Sequence, residues 1–404
     1  MATPTDLDER AERFLAILSA QAFALNEAYE AGRELIAAAK GASAARLDAL
    51  VTQFAPLISQ TEIVRAGILA LASGALAEAG ANIEPSARPI LARYAEALQE
   101  AIPFIEACNV EIANGALGSR EDVSKMSHEE RVARVTQLAG GPMPKGLHAV
   151  IALKPLNSAT MAVLSRSKAL RIETRADPSF AQADARLNLL GFEQLCLREM
   201  LAVLDDEEIV VLHPGLARGY FIRVAGIGKN FQLYTLVEGA LIGDEAEGWL
   251  PGRRPSPETL ALAKDAPMNL ANLPSAAGYF NLWNWTGLRS DATLEEGLQS
   301  DSAHWIWIEG LPADIVAYHG TRVILLGQAP YARGWNAGRY FPAMAGELEV
   351  VRQMPEAETR RWLDELARAP KPTLAGRNVT AADVARLGAE PGWRAVSGRR
   401  EPRE

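Results

Sequence analysis

At the start of the chain, Leu7, Ala11, Phe14, Leu18, Ala22, Leu25, Tyr29, Gly32 and Ile36 follow one another at spacings of three and four. That period keeps one face of a helix apolar, and over about 30 residues it predicts a helix roughly 45 Å long. Gly41 closes it. Leu47, Val51, Phe54 and Ile58 predict a second helix, which Pro56 shortens or bends. Ser59 and Glu62 stand at capping-box spacing and predict the start of a third, running to about Gly80. A fourth begins near Ser86 and carries Ile90, Tyr94, Leu98, Ile102, Ile105, Cys108 and Ile112 on one side, with a kink expected at Pro103. Four amphipathic helices with short connections predict an antiparallel bundle over residues 1–115. The small residues of "AGILALASGALAEAG" suit close packing of the third helix on a neighbour. The long seam either closes on the bundle or also joins two copies of the chain as a homodimer or grips a partner helix.

Residues 116–146 lose the apolar period and gain Gly and Pro, which marks a connector. Ser127 and Glu130 predict one short capped helix within it, and His128 falls in its first turn. From 147 the texture changes. "FEQLCLREMLAVL" (192–204) reads as helix. "EEIVVLHP" and "RGYFIRVAGI" are β-branched and aromatic runs around a turn at 213–217, the pattern of a hairpin. Helix "FQLYTLVEGALIG" follows, then the strand-like runs "YFNLWNWTGL", "HWIWIEG", "TRVILLG" and "GELEVVRQM", and a last helix, "EAETRRWLDELARA". Hairpins with segregated helices predict an α+β fold: the N-terminal bundle, then a mixed, mainly antiparallel sheet with packed helices in a Trp-rich domain over 147–370. Residues 371–404 form a C-terminal extension whose charged end is expected to be disordered.

Charge narrows the functions. The 404 residues carry a formal charge of −9, and residues 1–115 supply −7 of it from 15 acidic and 8 basic side chains. An acidic helical half repels a phosphate backbone, so no nucleic-acid partner is expected. No run reaches the ~20 apolar residues of a membrane span, the longest uncharged helical stretch being 66–77. Two distant cysteines in apolar surroundings, Cys108 and Cys196, argue against a disulfide scaffold and for a reducing cytoplasm. Arginine outnumbers lysine 33 to 8 and alanine is abundant, a bias pointing to a GC-rich, bacterial genome.

One stretch resembles a phosphate loop. In "VAGIGKNFQLYTL" (224–236) an apolar strand meets Gly226, Gly228 and Lys229. A P-loop ending at Gly228-Lys229 needs Gly where Arg223 stands and Ser or Thr where Asn230 stands. A dinucleotide fingerprint needs a small residue where Phe231 stands. Two readings remain: a strand-to-helix turn with Gly226 and Gly228 at positive φ and Asn230 as helix cap, or a simple anion site at Lys229 and Asn230. The histidines lack metal-ligand spacing, and the acidic run Asp205-Asp206-Glu207-Glu208 reads as a solvated turn, so neither metal nor cofactor is expected.

The aromatic and argininyl pattern is more informative. All eight tryptophans lie beyond residue 248. The 18-residue loop "QAPYARGWNAGRYFPAMA" (328–345) holds Tyr331, Arg333, Trp335, Asn336, Arg339 and Tyr340, and long loops in compact domains are often functional. A second loop, "GWLPGRRPSP", offers Arg253 and Arg254 beside Trp249, and the strand at 279–288 adds Trp285. Arg forks beside aromatic faces suit a carboxylate, a phosphate or a protein hot spot. The pattern predicts a binding protein (an adaptor, regulator or immunity-type partner) recognising a protein or a small anionic ligand through these loops. The alternative is an enzyme on a small anionic substrate, with Arg333 and Arg339 as clamp and His213 or His319 as acid/base. On either reading, Arg333→Ala with Arg339→Ala removes binding and spares folding.

Overall fold

A computed structural model of the chain describes residues 4–113, 125, 130, 145–192, 194, 196–296, 301–329 and 333–372. The chain is α+β, with helices ahead of a mixed six-stranded sheet. Five helices come first: α1 (Pro4–Ser19), α2 (Leu25–Ala39), α3 (Ala44–Gln60), α4 (Ile63–Glu78) and α5 (Glu84–Ala113). The expected single first helix is therefore two that pack on each other. No Gly or Pro breaks it; the Arg65 guanidinium does, donating to the Leu18 and Ala20 carbonyls at 2.8 and 3.0 Å and lying over the Phe23 ring. A cation thus caps the end of α1 from a remote helix. The buried face of α2 is Ala28, Ala31, Leu35, Ala38 and Ala39, so the seam is offset from the expected Leu25, Tyr29 and Ile36. The capping box is also corrected: Ser59 lies within α3, and Glu62 caps α4 by accepting from Val64 and Arg65 N–H.

The connector expected at 116–146, with Ser127 and His128, lies outside the described residues except at Lys125, Glu130, Lys145 and Gly146. Beyond it the helices resume: α6 (Lys145–Arg166), α7 (Lys168–Ala176), α8 (Pro178–Leu189) and α9 (Leu197–Leu201). The helical part runs to 201, past the change of texture at 147, and among the described residues of "FEQLCLREMLAVL" α9 is the helix. Helix α6 packs along α4 and α5. Its contact with α4 is backbone-close because both sides are small: a methyl on Gly74 would sit 3.3 Å from Ala159 Cα and Ala162 Cβ, and one on Gly67 3.2 Å from Pro155. The small residues of the third expected helix do meet a neighbour closely, and the neighbour is α6. Among the described residues α6 alone is long and apolar enough to cross a membrane, and 67% of its apolar window is buried within the protein.

The sheet begins at β1 (Leu204–His213), which turns at 214–217 into β2 (Arg218–Ile227), the expected antiparallel hairpin. With β4 (Phe280–Asn284), β6 (Thr321–Gln328) and β8 (Glu347–Met354) the order is β4-β6-β1-β2-β8, and the short β5 (Ala317–Tyr318) pairs with β6. Among the described strands of this sheet, β1 and β6 pair parallel and the other pairs are antiparallel. Alternation along β1 explains its unbroken apolar run: Ile209 and Val211 join one core with α10 (Asn230–Leu241), while Val210 and Leu212 join another with α12 (Glu356–Arg368). A strand covered on both faces has no solvent side to make polar. "HWIWIEG" is not a strand; it makes one isolated bridge, Trp305 to Trp283. Helix α11 (Pro257–Lys264) and the two-stranded pair β3 (Ser275–Ala277) with β7 (Gly334–Asn336) complete the layer.

Among the links that join the helical part to the sheet, two are buried. Asp205 and Asp206, expected in a solvated turn, lie inside β1, and Asp205 is wholly buried. Its carboxylate accepts from Arg171 of α7 at 2.7 and 3.0 Å and from Gly226 N–H at 3.1 Å. Phe341 and Met344, from the long loop, pack into the helical core.

Candidate functional site

The 328–345 loop is built inward. Arg339 is 6% exposed and donates to the carbonyls of Leu262 (2.6 Å), Ala266 (3.0 Å) and Pro342 (2.7 Å). Its guanidinium staples α11 to the loop, and burial lowers its pKa. Arg333 is 5% exposed; Nη1 donates to Tyr234 Oη at 3.1 Å and to Asn281 Oδ1, beneath the faces of Trp305 and Trp307. Trp335, half-buried in β7, donates to Thr235 Oγ1 at 3.1 Å and meets the Tyr234 ring edge-on. Half-buried Tyr340 lies 3.3 Å from Cys196 Sγ with Lys229 over its ring. Asn336 is exposed on β7. Tyr331 lies outside the described residues. An exposed arginine clamp is therefore not what this loop forms: both arginines are buried where core backbone and side-chain oxygens need donors.

The strand-to-helix junction within 224–236 is a turn. Gly226 has φ +67°, and a methyl there would collide with the Ala345 carbonyl, whereas Gly228 is not at positive φ. Asn230 is the first residue of α10, not its cap; its Nδ2 donates to the Trp307 carbonyl. The N–H groups of Asn230 and Phe231 donate to the Gly310 and Ile308 carbonyls at 3.0 and 2.8 Å, so backbone oxygens fill the place an anion would take. Lys229 lies 3.7 Å from Glu199.

The histidines do not converge on a clamp. His213 accepts from Leu216 N–H through Nδ1 and packs edge-on against Phe280, and burial lowers its pKa. His319 is exposed at φ +48° in the β5–β6 turn, against Tyr318. Trp285 is 3% exposed, with Lys371 over its ring.

The second loop behaves differently. Its approach is locked: Arg218 donates to the Trp249 and Glu245 carbonyls, Tyr220 Oη to the Gly248 carbonyl at 2.8 Å, and Trp249 stacks on Tyr220 with planes 2° apart. Its exit is locked by Ser256, whose Oγ accepts from Thr259 N–H to cap α11. Between them, Pro251 and Pro255 bracket Gly252, Arg253 and Arg254, and both arginines are exposed. The Tyr279 ring, 46% exposed, rests against Gly252, where a methyl would sit 2.7 Å from the ring carbons.

Tyr279 is held from below by Glu238 of α10. That side chain is fully buried, and its Oε1 accepts from the N–H of Tyr279 at 2.6 Å and of Phe280 at 3.0 Å. Oε2 has no hydrogen-bond partner among the described residues. Burial pushes this carboxyl up to about 7, the two amides offsetting part of the rise. Tyr234, one turn earlier, donates to the Ile306 carbonyl at 2.7 Å with Asn281 Oδ1 at 3.1 Å from its hydroxyl, and is pushed to about 12 by burial. Tyr279, Glu238, Tyr234 and Asn281 are absent from the sequence-based candidates, although Tyr234 and Glu238 stand four apart in one helix and Glu238 is its one ionisable carboxyl. Comparison of the chain with protein-family models, curated proteins and solved structures finds no match.

Proposed function

We propose that this is a recognition protein, binding an acidic segment of a partner protein on the surface made by Arg253, Arg254 and Tyr279. The observation that carries the reading is an exposed arginine pair between two prolines, on a turn tied at both ends, beside an exposed tyrosine. A turn whose backbone is already tied loses little main-chain freedom when its two planar forks meet carboxylates, and Arg and Tyr are enriched at protein-binding hot spots. Prolines and backbone ties supply the rigidity before the partner arrives. The bait that tests it is the full-length protein in extracts of its own host, with partners identified and then re-bound as purified proteins. Arg253→Glu with Arg254→Glu should weaken the purified pair at least tenfold, and raised salt should weaken the wild-type pair. A partner that binds the charge-reversed protein as tightly as the wild type would show that this surface is not the site.

A further inference from the structure

Helices α2 and α4 line a groove of about 340 Å³ on the helical part. Its walls are apolar: Tyr29 and Ile36 from α2 face Ile68 and Leu71 from α4, and Ala72 and Ala75 keep the floor low. Charge is sorted around it. Residues 25–40 hold three carboxylates, Glu27, Glu30 and Glu34, and none lines the groove; both cations of the same segment, Arg33 and Lys40, do. The sorting stands out because this segment of the chain is acidic, with 15 acidic against 8 basic residues over 1–115. Lys40 follows the last residue of α2, and Arg33 is paired only in solvent with Glu30, both side chains being over 60% exposed. Such a surface pair is weak and yields readily to a better-placed carboxylate.

Size selects the occupant. Ten residues line the groove, against ~20–30 a side for a stable protein interface. Its volume falls at the low end of the roughly 300–1,000 Å³ of small-molecule sites, which are likewise apolar with a few placed polar groups. We propose that this groove binds a medium-chain alkyl carboxylate, the chain lying between Ile36 and Leu71 and the carboxylate meeting Arg33 and Lys40. The site is separate from the Arg253–Arg254 surface and does not depend on it.

Calorimetric titration of the full-length protein with octanoate, decanoate and dodecanoate, below their micelle concentrations, tests this. Saturable one-to-one binding is expected, about fourfold tighter per methylene until the groove is full. Decanol should bind more weakly than decanoate, and decyltrimethylammonium more weakly still. Arg33→Gln with Lys40→Gln should bring decanoate down to the level of decanol and leave decanol unchanged. Ala75→Leu, or Ala37→Leu should the first variant melt early by circular dichroism, should remove binding of both. Arg253→Glu with Arg254→Glu should leave decanoate affinity untouched, which separates this site from the recognition surface. The proposal is overturned if decanoate shows no saturable binding, if the cationic amphiphile binds as tightly as the carboxylate, if the filled groove still binds, or if an acidic amphipathic peptide displaces decanoate with higher affinity.

Discussion

Replacing Glu238 by Gln should make the protein more stable at alkaline pH, not less. The carboxyl is fully buried, gives one oxygen to two backbone amides, and is pushed from an ordinary 4.5 to about 7. A folded-state pKa above the unfolded one means that the folded protein holds its proton more tightly. Below pH 4.5 both states are protonated and the ionisation contributes nothing. Between the two values the unfolded chain releases its proton while the folded chain keeps it, so stability falls as pH rises. Above about 7 the loss is complete, and a shift of roughly two and a half units corresponds to about 3 kcal/mol. Glutamine imitates the protonated acid: its carbonyl can accept from Tyr279 and Phe280, and its amide, like the acid's hydroxyl, faces the position where Oε2 has no partner. That shared burden cancels to first order.

The measurement is urea denaturation of both proteins from pH 5 to 8.5, followed by tryptophan fluorescence, since every tryptophan lies beyond residue 248. Titrations common to both proteins drop out of the difference. The variant should lead by only about 1 kcal/mol near pH 5, where the difference has just begun to develop, and by about 3 kcal/mol at pH 8.5. A difference that stays constant with pH, or a variant weaker than wild type at pH 8.5, would refute the argument that burial governs this carboxyl.

Two further predictions concern buried charge. Asp205→Asn should cost about 3–5 kcal/mol, because it leaves the Arg171 guanidinium buried without its bidentate partner; Arg171→Met added to it should recover part of the loss. Urea midpoints of the single and double variants check this, and a single-variant loss below about 1 kcal/mol would contradict it. Arg339→Ala should cost about 2–4 kcal/mol by stripping donors from the Leu262, Ala266 and Pro342 carbonyls. Exposed Arg253→Ala should stay within about 0.5 kcal/mol; equal melting temperatures for these two arginine variants would refute the contrast.

The expectation that Arg333 and Arg339 could be removed without loss of folding shows where sequence reasoning fails here. Periodicity reports which face of an element is apolar, so it finds α3, α4 and α5, the β1–β2 hairpin, β6, β8 and α12 where they stand. It is silent on who satisfies a buried carbonyl. Arg65 ending α1, Arg339 pinning α11 and Arg171 holding Asp205 all act on backbone or side-chain oxygens tens of residues away. In the sequence each looks like any polar residue in a helix or loop. Helix α6 escapes notice for a related reason: enclosed by α4 and α5, it is apolar nearly all round and shows no amphipathic stripe.

The same reasoning explains why one Arg-rich loop is structural and the other available. The 328–345 loop passes between the helical core, which takes Phe341 and Met344, and the sheet layer, which takes Trp335. Where this loop turns inward, at Arg333, Ala337 to Arg339, Phe341 and Met344, buried oxygens of neighbouring segments need donors, and arginine, with five donors on one plane, meets several at once. The 251–255 turn crosses the surface instead. Its flanks are tied by Arg218, Tyr220 and Ser256, so its own arginines have no structural bond to make and remain exposed. Glu238 couples this surface to the core: it bonds the backbone of Tyr279, whose ring rests on Gly252, next to Arg253. Ionisation of Glu238 changes the strength of those amide bonds in the physiological pH range. Affinity at the recognition surface should therefore respond to pH in the wild type and lose that response in Glu238→Gln, because the group that titrates is the one on which Tyr279 rests.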